Sequence, residues 1–236
     1  MTTKHKTIFL INFHFLASRN ILTTEVFGEL IKEPNLKVVI LVPDHKKDFF
    51  EKNYQNEKVV IEGFNVDTPL FRDHRSFRVG KFLTQTLQPT YAIRLRLREK
   101  LRRQKLIRNY FQLLLNQILA PILGRCGWLI KLGRWLDQKT SPHYMLDYYF
   151  DKYRPQAIFT TDIFSDTDFL FIQAARARNI LSIGMVRSWD NASTKGLLRT
   201  VPDKIISNNE IIADEIVKLH FVNKNNIFIV LIHINA

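Results

Sequence analysis

One cysteine, Cys126, is all the thiol chemistry in this chain. A single thiol excludes an intramolecular disulfide and a cysteine-based zinc cluster, and with no base close to it in sequence it reads as a free structural thiol, as suits a reducing cytoplasm. No Gly-x-Gly-x-x-Gly follows the first strand-like run, so a dinucleotide cradle of that kind is not expected. No repeat recurs at the periods of about 20 to 50 residues that mark solenoids. Charges or amides interrupt every window of about 20 residues, which argues against a spanning helix. Met-Thr-Thr-Lys-His-Lys leads straight into an apolar run, without the long apolar region and small-residue cleavage site of a secretory signal. Acids are nearly missing from one stretch. Residues 70–135 hold 15 Lys or Arg against Asp73 and Glu99, whereas nine charges of each sign precede that block and eleven of each follow it. The net charge of +13 therefore belongs to one internal segment.

The rest of the chain is strongly patterned. Residues 7–13 are rich in Ile, Phe and Leu and bounded by polar residues, as a buried parallel strand requires. Residues 21–32 place Val26, Phe27, Leu30 and Ile31 at helical spacing before Pro34. A second strand is predicted at 37–42, a short charged helix at 43–54 and a third strand at 58–61. That alternation is the order of an α/β, Rossmann-like, doubly wound parallel sheet. It breaks at about 70–140. Scarce Gly and Pro between 91 and 119 predict one long basic helix, and after Pro121 residues 122–136 carry Trp128 and Trp135 among Arg125, Lys131 and Arg134. A basic helix followed by Trp- and Leu-rich amphipathic turns reads as an insertion lying on an anionic membrane surface. The competing reading is an insertion packed on its own domain with a solvated basic face.

The strand-helix order then resumes. Ser141-Pro142 predicts an N-cap with proline in the first helical position, and Leu146, Phe150 and Tyr153 form a stripe that Arg154-Pro155 ends. Strands are predicted at 156–161, 181–186, 203–206 and 227–232. Ser165, with Asp166 and Asp168, caps one intervening helix. Ser207-Asn208-Asn209-Glu210 reads as a capping box for the other.

The run at 181–186 empties into Arg187-Ser188-Trp189-Asp190-Asn191, followed by Ser193, Thr194, Lys195 and Gly196. A strand opening into a dense polar loop is where open α/β sheets hold ligands; the plainer reading is a polar turn with one buried Trp. These residues resemble a motif of bacterial sugar-transferase-like proteins of surface carbohydrate biosynthesis, which look like two-domain, B-type glycosyltransferases. Those proteins are distantly similar to glycerophosphotransferases of wall polymer synthesis. Pro202-Asp203-Lys204-Ile205-Ile206 and the helix starting near Asn209-Glu210 extend the resemblance over about 181–220. It implies two Rossmann-like domains, with the acceptor mainly on the first and the nucleotide-linked donor mainly on the second. On that reading residues 1–236 are a single acceptor-side domain with a helical insertion, and the donor-binding half is absent. A nucleotide-activated sugar is then expected to bind only if a second domain or a partner chain supplies its site, and the isolated polypeptide is not expected to transfer it.

Displacement at an activated sugar carbon needs a base at the acceptor hydroxyl and positive groups at the departing phosphates. His14, just past the first strand, and Asp190 are the candidate catalytic residues. Arg19, Asp162, Arg187, Ser188, Trp189, Asn191, Ser193, Thr194 and Lys195 are the candidate substrate ligands, with Trp189 suited to stacking on a sugar ring. The ordinary alternatives are a satisfied polar histidine, surface ion pairs and a core tryptophan. No metal ligand set and no cofactor are expected. Asn191-Ala192-Ser193 matches a glycosylation sequon, which without a secretory signal reads as chance. Two rival functions stand beside the transferase: a non-catalytic partner domain, peripheral on the inner face of the cell membrane, and a basic nucleic-acid-binding protein. The second is disfavoured, because the aromatics cluster in apolar turns rather than alternating with Arg.

Overall fold

β-branched and aromatic runs form the strands, and their apolar residues face inward on both sides. These strands are β1 (Lys6–Ile11), β2 (Leu36–Pro43) and β3 (Val59–Phe64), joined through helices α1 (Glu25–Lys32) and α2 (Lys47–Tyr54). In this computed structural model the described residues are 6–14, 21–65 and 74–230. After β3 come four helices: α3 (Arg75–Leu87), α4 (Tyr91–Arg103), α5 (Ile107–Leu123) and α6 (Gly127–Thr140). The alternation then returns with α7 (Asp147–Tyr153), β4 (Ala157–Thr160), α8 (Asp166–Ala177) and β5 (Leu181–Met185). The short α9 (Asn191–Thr194), β6 (Lys204–Ser207), α10 (Glu210–His220) and β7 (Ile227–Ile229) complete it.

The sheet runs β3-β2-β1-β4-β5-β6-β7. β1 pairs parallel with β2 (Lys6 opposite Leu36) and with β4 (Ile8 opposite Ala157). β2 pairs parallel with β3, and β4 with β5. Strand order reverses at β1, which lies between β2 and β4, as in a Rossmann-like doubly wound sheet. Two compact units divide the chain. The first holds 1–71, 142–187 and 202–205; the second holds 72–141, 188–201 and 206–236.

In the first unit the core lies against the sheet, with Phe9, Ile11, Ile40, Leu41 and Ile158 fully buried alongside Leu170 and Phe171 of α8. Phe150 of α7 meets Phe9 edge to face at 5.2 Å between centroids, a contact worth about 1 kcal/mol beyond its area. α8 starts as expected, with Ser165 Oγ accepting from the Thr167 and Asp168 amides.

Several local expectations change. The helix predicted across 91–119 is broken between Arg103 and Ile107. Asn109 Nδ2 donates to Gln104 O, the carbonyl a continuous helix would give to Arg108, so a side chain outcompetes the next backbone bond. Pro121, expected to open the apolar segment 122–136, lies instead inside the last turn of α5. The turn comes at Gly124, where an added Cβ would run into the Leu87 carbonyl oxygen. Ser141 is the C-cap of α6, its N–H donating to Asp137 O, and α7 begins only after a 3₁₀ turn at His143–Leu146. At α10 the cap is Asn209, which accepts from Ile212 N, while Ser207 Oγ donates to Asn209 O, so the box anticipated from Ser207 to Glu210 is replaced by a simple Asn cap.

Among the described residues, no single helix is long and apolar enough to cross a membrane. α5 and α6 together have the length and composition but bend by 117° at their break.

Candidate active site

In a doubly wound sheet the ligand crevice lies at the carboxyl ends of the strands where their order reverses, here β1 and β4, and three of the sequence-predicted residues meet at that place within the first unit. His14 follows β1, Asp162 follows β4 and Arg187 follows β5. Arg187 Nε donates to Asp162 Oδ2 at 2.9 Å, and His14 Nε2 stands 3.6 Å from the same oxygen. The Asp162 side chain is 2% exposed and that of His14 is 34% exposed, so a buried carboxylate stands behind an imidazole that solvent reaches.

Asp162 is locked from three directions. Its Oδ1 accepts from Phe164 N at 3.1 Å, and its own N–H donates to Asp168 Oδ2 at 2.9 Å. Ile163 N donates to Met185 O, tying the turn after β4 to the end of β5. Asp168, read from the sequence as one of the acids that cap α8, is fully buried. Burial, with the Asp162 carboxylate beside it, pushes its carboxyl up to about 8, so it is largely protonated at neutral pH and the cluster carries one carboxylate charge rather than two.

Chemically, a fixed carboxylate next to a part-exposed imidazole stabilises the imidazolium formed when the ring takes a proton. Arg187 on the same oxygen offsets part of that effect while leaving a cation at the rim.

The loop that follows belongs to the second unit and is organised differently. Ala192 O accepts from Gln88 Nε2 (2.6 Å) and from His220 Nε2 (2.8 Å). Ser193 O accepts from Thr90 Oγ1 (2.7 Å) and Thr194 O from Arg96 (2.9 Å). His220 is fully buried. Its Nδ1 accepts from Leu198 N at 3.0 Å, which places the ring proton on Nε2, and burial pushes its pKa down to about 3, so the ring is neutral. Gly196 has φ +95°, a left-handed conformation only glycine adopts freely, and lets Leu197 N reach Thr84 O.

The side chains of the loop close on themselves. Ser188 Oγ donates to Asp190 Oδ1 and Thr194 Oγ1 to Asp190 O at 2.8 Å, with Ser193 Oγ also directed at Asp190 O. The Ser188 hydroxyl bond is the main reason the Asp190 carboxyl lies below its usual value, which makes it a weaker base than an ordinary carboxylate. Asn191 is buried, Lys195 is exposed, and Trp189 is 76% exposed rather than anchored in a core. Arg19 lies outside the described residues.

Asp168, Gln88 and His220 escaped the sequence reading. Asp168 was visible as a second acid after Ser165 but looked like a helix-capping charge, and nothing in one sequence pairs Gln88 or His220 with Ala192. Among the described residues no three His, Cys, Asp or Glu side chains group as metal ligands. No protein-family model matches the chain, and no curated protein sequence is significantly similar to it.

Proposed function

We propose that the first unit is the acceptor-binding side of a glycosyltransferase of the two-domain, B-type class, acting in surface polysaccharide or glycolipid synthesis. The reading rests on the resemblance of 181–220 and is supported by one observation above all: His14, Asp162 and Arg187 converge at the carboxyl ends of β1, β4 and β5, next to the reversal of strand order. His14 is the general base, taking the proton of an acceptor hydroxyl as that oxygen attacks the activated sugar carbon and a nucleotide diphosphate departs. Asp162 orients the imidazole and balances its positive charge. Arg187 holds Asp162 and offers a cation to an acidic group on the acceptor. The proposal assigns the acceptor side alone to this chain.

Nuclear magnetic resonance of the histidine rings supplies the test. Oligosaccharides with and without uronic acids, and separately a uridine-diphosphate sugar, are titrated into the full chain. The expected outcome is a shift, with a saccharide, of the ring resonances that are missing from His14→Gln and so belong to His14, the variant's melting temperature staying close to wild type. A shift with the nucleotide sugar alone makes the crevice a donor site, and no shift with any sugar removes the carbohydrate reading.

A further inference from the structure

In the second unit α5 is built inside out. Its buried face carries Asn109, Gln112 and Asn116, each at most 1% exposed, with Ala120. These amides serve the interior: Asn116 Nδ2 donates to Thr86 O (2.6 Å) and Gln88 O (3.2 Å), and Gln112 Nε2 to Thr86 Oγ1 (3.3 Å). The opposite face, at i, i+3, i+4, i+7, i+11 and i+15, is Ile107, Tyr110, Phe111, Leu114, Ile118 and Ile122, all exposed, Ile107 by 88%. A helix that hides amides and shows a four-turn aliphatic and aromatic row reverses the ordinary arrangement, and a contiguous exposed apolar row marks an interaction surface.

α6 repeats the theme. Trp128, Leu132, Trp135 and Leu136 are exposed on it, with Lys131 and Lys139 exposed on the same helix. Arg96, Arg98, Arg102 and Arg103 of α4, with Lys105 just beyond it, are also exposed.

We infer that the outward faces of α5 and α6 seat this unit on an anionic lipid bilayer, with the apolar rows in the headgroup and acyl boundary and the cations of α4 and α6 on acidic headgroups. The charge selects this occupant. A second copy would bring one basic block against another, residues 70–135 holding 15 cations and two acids in each chain. A nucleic acid would satisfy the cations but leave the row from Ile107 to Ile122 facing phosphate. A bilayer surface accepts both, with tryptophans at headgroup depth and long Lys side chains reaching acidic lipids. The 117° bend between α5 and α6 makes the pair a corner, and each helix has a polar side as well as its apolar row, which suits lying at the interface rather than crossing it. This surface is independent of the sugar chemistry proposed above.

The test is co-sedimentation of the full chain with phosphatidylcholine vesicles, with and without about one-third phosphatidylglycerol. Binding is expected only with the anionic lipid and is expected to weaken as salt rises. Phe111→Glu with Ile118→Glu is expected to weaken it at least about tenfold while leaving the circular dichroism unchanged. Ile211→Glu, an exposed apolar site on α10, is expected to bind as wild type. With Trp189→Phe removing the loop tryptophan, brominated lipids are expected to quench the emission of the two tryptophans on α6. Four results would each overturn the inference: no binding to anionic vesicles, equal binding to neutral ones, undiminished binding by the Phe111/Ile118 variant, or self-association that the same variant dissolves. A DNA duplex bound equally by wild type and that variant, and able to displace all vesicles, overturns it too.

Discussion

The crevice at the ends of β1, β4 and β5 and the loop at 188–196 are both dense in polar residues, and they use them in opposite ways. In the loop, three successive carbonyls from Ala192 to Thr194 are held by Gln88, His220, Thr90 and Arg96, and the hydroxyls of Ser188 and Thr194 turn back on Asp190. In the crevice a buried carboxylate is fixed by its neighbours and keeps an imidazole 3.6 Å away that solvent still reaches. Polar density after a strand therefore identifies a place where hydrogen-bonding groups must be satisfied, and either the protein or a ligand can satisfy them. The loop is satisfied mainly from within its own unit, and the crevice sets a part-exposed imidazole beside its buried carboxylate.

That contrast breaks most sharply at His220. His220→Ala removes the partner of Leu198 N–H and one partner of Ala192 C=O and leaves a void, so a loss of about 3–5 kcal/mol is expected, read by urea unfolding and by faster amide exchange across 188–200. Wild-type protection in that variant would mean that the loop is held by other means. Arg187→Ala comes next. It leaves the carboxylate of Asp162 buried without its cation, for an expected loss of about 2–3 kcal/mol, below the fully buried case because Arg187 is part-exposed. Adding Asp162→Asn is expected to recover part of that stability, and failure to do so would deny the pair its electrostatic role.

A third experiment separates the regions by the sign of their response to pH. His220 has a folded pKa of about 3, below that of an unfolded histidine. Its contribution is full above about pH 6.5 and falls as acid takes the pH down toward 3, because the unfolded chain binds the proton first. Asp168, raised to about 8, behaves in reverse: its contribution is full below about pH 4 and falls as the pH rises through 8, because the unfolded chain releases the proton first. Amide exchange is expected to quicken at 188–200 in acid and around 160–168 in mild alkali after correction for intrinsic rates. Asp168→Asn is expected to abolish the alkaline effect alone. The smallest expected effect is at Trp189. Its alanine variant should change stability by no more than about 0.5 kcal/mol, since the ring is exposed, and a larger loss in thermal unfolding would show that the side chain is part of the loop's support.

Alternating apolar runs and short connections make the strand-helix order legible in the sequence, and His14, Asp162 and Arg187 stand out there as polar residues just past strands. Residues just past parallel strands gather at one edge of such a sheet, which is why position along the chain points to these three. Asp190, from the same reading, is drawn into a local hydroxyl cage, a matter of side-chain directions that a one-dimensional pattern does not carry. The long helix predicted across 91–119 failed for a similar reason: propensity is additive along the chain, whereas the bond from Asn109 to Gln104 is a specific competition for one carbonyl.

The sequence by itself determined the parallel α/β plan, through the period and length of its apolar runs, and the position of the charge, through the near absence of acids from 70–135. Only the tertiary structure decided which polar residues face inward. The amides of α5 turn toward Thr86 and Gln88, His220 closes on the loop, and Asp168 goes under Asp162, because a buried polar group that gains hydrogen bonds offsets part of the cost of leaving water. Those partners lie from 6 to 30 residues away along the chain, and only folding brings them together.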